Sequence, residues 1–171
     1  MILAMDIGNT NVKYGVFDGD KMIASWRVST KASRTADEYG MVLYDLLRQR
    51  GVNFEDIDAC VMSSVAPALN YTIEHMCNDY IGKSPLIVSS DTDTGITLDY
   101  AQPTQLGTDR IVGAAAAYAI YGGPVIVVDF GNYVQSRHER RKVYRRRDCS
   151  RHQDGNGVSR YDGGETSAYR T

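Results

Sequence analysis

Leu3-Ala4-Met5-Asp6-Ile7-Gly8-Asn9-Thr10-Asn11-Val12-Lys13 begins as an apolar run, breaks at a polar turn and resumes as a second strand. Gly8 lets backbone approach a ligand closely, and exposed amides in such a turn attract anions. Asp6 at the strand end can hold a metal ion or its water shell beside a phosphate. Asn9, Thr10 and Asn11 add neutral hydrogen-bonding groups, and Lys13 adds a positive charge. The same residues also read as a polar β-turn with a solvated lysine.

Outward from this turn, residues 2–6, 12–18 and 21–28 read as three short strands, with Asp18-Gly19-Asp20 as the hairpin turn between the last two. Trp26 reads as core. Thr35-Ala36-Asp37-Glu38 is a capping box, and it predicts a helix with Tyr39, Val42, Leu43, Leu46 and Leu47 on its apolar face, ending near Gly51. Ala59-Cys60-Val61-Met62 predicts a buried strand, with Ser63-Ser64-Val65 at its end. Pro67 opens a second helix, running through Leu69, Ile73, Met76 and Cys77 to about Tyr80. Residues 85–88 predict another strand, so the alternation implies an α/β domain with a mixed sheet. Cys60 and Cys77 read as core, and the lone His75 as a surface or core residue.

Residues 89–105 are polar and turn-rich, and read as a connector. They lead into Gln105-Leu106-Gly107-Thr108-Asp109-Arg110 and a helix predicted over residues 111–121. Asp109 and Arg110 read either as a dipole-favoured acid beside a surface arginine or as an acid and a base at a cleft edge. Next, Pro124-Val125-Ile126-Val127-Val128-Asp129-Phe130-Gly131 is an apolar strand ending in Asp-x-Gly, the pattern of Met5-Asp6-Ile7-Gly8 again. Two such turns point to two similar half-structures that face phosphate.

A length of 171 residues indicates one domain or a little more. No stretch is long and apolar enough to cross a membrane, and no basic segment precedes the first apolar run, so no secretory signal is expected. Cys60, Cys77 and Cys149 are too few and too far apart for a disulfide framework or a zinc knuckle, which makes a reducing cytoplasm the expected setting. The charge balance breaks after Gly131. Residues 1–131 hold 9 Lys and Arg against 16 Asp and Glu, whereas residues 132–171 hold 10 basic and 5 acidic residues. Beyond Gly131 there is no Leu, Ile, Met or Phe, and the large aliphatics are Val134, Val143 and Val158. Such a segment lacks the apolar surface to offset the entropy of ordering it.

Over residues 1–131 the chain resembles the type III pantothenate kinases of the actin-like ATPase and sugar kinase superfamily. The resemblance is carried by Asp6-Ile7-Gly8-Asn9-Thr10-Asn11-Val12-Lys13, Arg34-Thr35-Ala36-Asp37-Glu38-Tyr39, Ser63-Ser64-Val65-Ala66-Pro67, Tyr100 with Pro103, Leu106-Gly107-Thr108-Asp109-Arg110 and Val128-Asp129-Phe130-Gly131. It implies a ribonuclease H-like, actin-like N-terminal domain with a mixed sheet and flanking helices over residues 1–121, and the first strand of a second such domain over residues 122–131. It also implies ATP-dependent phosphorylation of pantothenate, the first step of coenzyme A synthesis, in a cytoplasmic homodimer.

The resemblance places ATP phosphates on Asp6, Ile7, Gly8, Asn9, Thr10, Asn11, Val12 and Lys13, with a divalent ion such as magnesium at Asp6. It places pantothenate on Tyr100, Gly107, Thr108, Asp109 and Arg110, with Asp109 as catalytic base, and a potassium or ammonium ion on Asp129. The family's second phosphate turn continues with a threonine on ATP, and here that position is Asn132.

After Gly131 the resemblance stops, and a frameshift is the expected cause. Read one nucleotide downstream, synonymous codons permitted for residues 142–153 spell a family-like glycine turn and helix entry, and those for residues 164–170 spell a second family-like segment. On that reading the second domain is truncated or replaced and the 171-residue form is inactive. The competing reading is a basic arm for nucleic-acid phosphates, with Tyr144 between Arg140-Arg141-Lys142 and Arg145-Arg146-Arg147. His138, Cys149 and His152 lack a fourth ligand and regular spacing for a metal. The alternative to an enzyme is a non-catalytic ATP- or partner-binding module on the same fold.

Overall fold

The chain is described by a computed structural model covering residues 1–100 and 102–127, with the backbone of four short strands between residues 138 and 161. Met1–Thr94 and Thr104–Val112 form one compact unit, and Gly95–Pro103 with Gly113–Thr171 form a second.

The first unit is built on five strands. β1 (Ile2–Ile7), β2 (Asn11–Asp18) and β3 (Lys21–Ser29) form an antiparallel meander. β4 (Ala59–Ser64) and β5 (Leu86–Ile87) add in parallel on the other side of β1, so the order is β3-β2-β1-β4-β5. This is a mixed sheet of the kind the strand-helix alternation predicts. Parallel pairing of β1 with β4 needs a crossover, and α1 (Ala36–Arg48) supplies it. The Thr35 hydroxyl accepts the Glu38 amide, and the Glu38 carboxylate accepts the Thr35 amide, so two otherwise unpaired donors at the helix start are satisfied. The crossover from β4 to β5 runs through a 3-10 turn (Pro67–Leu69), α2 (Asn70–Met76) and a π turn (Cys77–Ile81).

Side chains alternate along each strand, which divides the sheet into two faces. Leu3, Met5 and Ile7 of β1, Val12, Tyr14 and Val16 of β2, and Cys60 and Met62 of β4 face the core with Tyr39, Leu43, Leu47, Ile73 and Met76. Each fully buried Leu or Ile there contributes roughly 1.5–3 kcal/mol of transfer free energy. Trp26 is partly buried against this core, as its place in β3 predicts. Cys60 and Cys77 are buried free thiols, and a hydrogen bond with Cys60, reinforced by burial, keeps the Cys77 thiol protonated. His75 is exposed and stacks on Tyr71, with ring centroids 4.0 Å apart.

In the second unit, β6 (Thr97–Asp99) pairs in parallel with β8 (Lys142–Tyr144), and β8 pairs with β7 (His138–Glu139). β9 (Arg151–Gln153) pairs with β10 (Ser159–Tyr161). α3 (Thr108–Tyr121) opens three residues before the predicted start at 111. Of the strand expected over residues 122–131, the described part contains a bridge at Val125, and residues 128–131 lie outside the described residues. No described helix is long and apolar enough to cross a membrane.

Candidate functional site

The site is assembled on the sheet face turned away from the core. In β1 the even positions point there, which places Ala4 and Asp6 opposite Leu3, Met5 and Ile7. Antiparallel register sets Asp6 beside Lys13, and parallel register sets Asp6 beside Ser63. Lys13 is in turn paired with Arg27 of β3. The Lys13 Nζ lies 2.7 Å from Asp6 Oδ2, an ion pair that is partly open to solvent. Cross-strand neighbours of opposite charge contribute modestly to stability at such exposure.

Between Asp6 and Lys13 the chain reverses. The Gly8 amide donates to the Asn11 carbonyl at 3.0 Å and closes the turn. A Cβ at Gly8 would lie 2.9 Å from that carbonyl oxygen, which explains the glycine. Asn9 and Thr10 at the tip are exposed. The turn is held from outside by a residue that sequence reasoning passed over. Thr30 donates its hydroxyl to the Gly8 carbonyl at 2.7 Å and its amide to the Thr10 carbonyl at 2.9 Å. No sequence motif marks Thr30; only the β2–β3 register brings it there.

A cavity of about 380 Å³ lies on this face, with Asp6, Lys13, Ser63, Ala4, Val61 and Val112 in its lining. Its apolar walls come from Ala4, Val61 and Phe17 of the sheet, with Val88 after β5 and Val112 of α3. Among the described residues, no three His, Cys, Asp or Glu side chains gather as a metal cluster. A lone carboxylate beside a glycine turn still suits magnesium, which keeps several waters and takes one or two carboxylates with phosphates. Asp6 therefore fits as the residue that would hold it, once its Oδ2 is shared with or released by Lys13.

The start of α3 is locked onto the end of β4. The Thr108 hydroxyl accepts from Ser63 Oγ and from the Ser64 amide and donates to the Ser64 carbonyl, each at 3.0 Å. One donor and two lone pairs exhaust a hydroxyl. Val65 donates its amide to the Ile7 carbonyl at 3.0 Å, so the Ser63–Val65 segment touches both the strand before Gly8 and the residue before Asp109. Asp109 is half-buried, and its Oδ1 accepts the Arg110 amide at 2.8 Å. A Cβ at Gly107 would meet that same oxygen at 2.5 Å, so glycine leaves room for the carboxylate to fold back over the helix start.

The structure thus brings Asp6, Gly8, Lys13, Ser63 and Thr108 into one connected framework, with Asp109 and Arg110 at its α3 end. Tyr100 is half-buried just after β6 and belongs to the second unit. Asp129 and Asn132 lie outside the described residues. The role of Ser63 was also missed in the sequence, where Ser63-Ser64-Val65-Ala66-Pro67 stood as a motif without a task.

A family model described as Type III pantothenate kinase matches residues 2–135. A type III pantothenate kinase from Agathobacter rectalis is 48% identical over 131 residues, covering 77% of this chain and 50% of the relative. The chain therefore spans about half the length of that curated relative. Among solved structures, the ROK hexokinase from Thermus thermophilus aligns over 54% of this chain and 36% of its own, with a TM-score of 0.41 and 17% identity. YeaZ from Pseudomonas aeruginosa aligns over 96% of this chain and 65% of its own, with a TM-score of 0.43 and 15% identity. The family match takes in every strand of the five-stranded sheet and the whole of α3, and by that span this chain belongs to the type III pantothenate kinase family.

Proposed function

We propose that this chain supplies the N-terminal half of a pantothenate kinase, which transfers the γ-phosphoryl group of ATP to the primary hydroxyl of pantothenate. The observation that carries the reading is the glycine turn set between the paired Asp6 and Lys13, in a chain of this family. The turn from Asp6 to Lys13 receives the ATP phosphates. A magnesium ion held at Asp6 would neutralise charge on those phosphates. Gly107, Thr108, Asp109 and Arg110, with Tyr100, receive pantothenate, and Thr108 contributes by holding its neighbours in place. The Asp109 carboxylate takes the hydroxyl proton as the oxygen bonds to the γ-phosphorus, and the bond from that phosphorus to ADP breaks. The products are ADP and 4'-phosphopantothenate.

Asp129 is assigned a potassium or ammonium ion, and Asn132 the ATP contact of the second phosphate turn. The working form is a cytoplasmic homodimer, with residues 1–121 as its first domain and residues 122–131 as the entry to its second. The basic stretch after Gly131 is read as out of frame.

A chimera joining residues 1–131 to the C-terminal half of the Agathobacter rectalis relative tests the assignment. Pantothenate-dependent release of ADP is expected, with magnesium and potassium present and the parent relative as control. Asp109→Asn in the chimera is expected to lower turnover by ~10²–10⁴-fold, the usual range for loss of a general base. A folded chimera without pantothenate-dependent ADP release, or a variant with unchanged turnover, contradicts the assignment.

A further inference from the structure

Thr30 follows β3, remote in sequence from the glycine turn, yet it clasps that turn at two carbonyls. Its hydroxyl takes the Gly8 carbonyl at 2.7 Å, and its amide takes the Thr10 carbonyl at 2.9 Å. The Gly8 amide holds a third, the Asn11 carbonyl, at 3.0 Å. Three of the turn's oxygens are therefore engaged by protein donors. The orientation matters because a carbonyl oxygen repels an anion, whereas the amides of a turn attract one. The oxygens of Gly8 and Thr10 belong to the peptide planes that carry the amides of Asn9 and Asn11. Anchoring the oxygens fixes where those N–H groups point.

We propose that Thr30 is a positioning residue for phosphate binding, orienting the Gly8–Asn11 turn so that its amide edge meets the triphosphate. The inference rests on the reading of this turn as the ATP phosphate site. The amide bond to Thr10 survives any substitution except proline, so the hydroxyl bond to Gly8 is the part that side-chain chemistry can test. Serine keeps it, while valine keeps the branched shape and loses it.

Isothermal titration of the full 171-residue chain with MgATP, paired with thermal melting, tests the proposal on wild type, Thr30→Val and Thr30→Ser. Thr30→Val is expected to weaken MgATP binding about threefold to tenfold, the range for one hydrogen bond, while Thr30→Ser stays within about twofold of wild type. Should the valine variant fail to fold, Thr30→Ala carries the same expectation. A valine or alanine variant that melts lower but binds MgATP as wild type does would confine Thr30 to folding and overturn the proposal. A folded wild-type chain that binds no MgATP would overturn the phosphate reading of the turn, and the Thr30 assignment with it.

Discussion

The hydroxyls of Ser63 and Thr108 lie 3.0 Å apart, joining the end of β4 to the start of α3 across 45 residues of sequence. Ser63 is only 5% exposed, so its hydroxyl has been taken out of water and depends on this partner. The contact carries the position of β4 to the residue before Asp109.

Thr108→Val removes three hydrogen bonds and takes the partner from the buried Ser63 hydroxyl and the part-buried Ser64 backbone. A loss of ~1–3 kcal/mol in folding free energy is expected, read from denaturant unfolding. Thr108→Ser keeps the hydroxyl and should lose much less. Combined with Ser63→Ala, the effect should fall short of additive, with a coupling of at least ~0.5 kcal/mol. Strict additivity would mean that the two hydroxyls do not act together.

Tyr14 should respond in the opposite direction. Its ring sits in the core, and its hydroxyl finds no hydrogen-bond partner among the described residues. Burial, followed by the nearby Tyr39, raises its pKa far above the ordinary tyrosine value, so the phenol stays neutral. Tyr14→Phe removes the orphaned hydroxyl while keeping the ring, and a gain of ~1 kcal/mol is expected as a higher melting temperature. A clear drop would reveal a partner for the hydroxyl.

Tyr80 gives a pH dependence. Its hydroxyl donates to Asp37 Oδ1 at 2.7 Å and ties the π turn to the first turn of α1. The bond to the carboxylate raises the Tyr80 pKa, because ionising the phenol destroys the bond and sets two negative charges together. A raised folded-state pKa contributes stability that is complete below the unfolded value near ~10 and fades as pH climbs through the folded one. Tyr80→Phe should therefore melt below wild type at about pH 8, and the gap should shrink beyond about pH 10. Parallel melting curves across that range would count against the Asp37 contact.

Gly8→Ala tests the turn itself. The added Cβ would fall 2.9 Å from the Asn11 carbonyl oxygen, and relieving that contact must move backbone. A strain of ~1–3 kcal/mol is the ordinary range for such overpacking. MgATP affinity should drop about tenfold or more if the strain is relieved by opening the turn, since each 1.4 kcal/mol is a factor of ten. Normal affinity in the variant would remove the turn from the nucleotide site.

Much of this architecture was legible because its causes are local. The Thr35 capping box starts α1 as expected, and alternation along Leu3, Met5 and Ile7 marks the buried face of β1. β1, β2 and β3 fall within a residue of their expected bounds. Other features depend on partners far along the chain. β6 was read as part of a polar connector because three residues, Thr97-Leu98-Asp99, carry no pattern of their own and gain strand character from pairing with β8. α3 begins at Thr108 because that hydroxyl is fixed by β4, which periodicity starting at Ile111 does not register. In the site, Asp6, Gly8 and Lys13 announced themselves by chemistry and spacing. Thr30 and Ser63 are ordinary residue types, and register alone gives them their neighbours.

Arg27, Lys13, Asp6 and Ser63 occupy one row across four strands, and this has an evolutionary consequence. Alternation gives each strand a parity: gaining or losing one residue before Asp6 in β1 would exchange its place with that of Met5. The carboxylate would then turn into the core while the methionine faced the cavity on the outer face of the sheet. A single insertion here would break the Asp6–Lys13 pair and the packing together, whereas most point changes touch one or the other. Descendants of this gene should thus vary in spelling along β1, β2 and β4 and vary in length at the hairpin between Asp18 and Lys21, where no parity is kept.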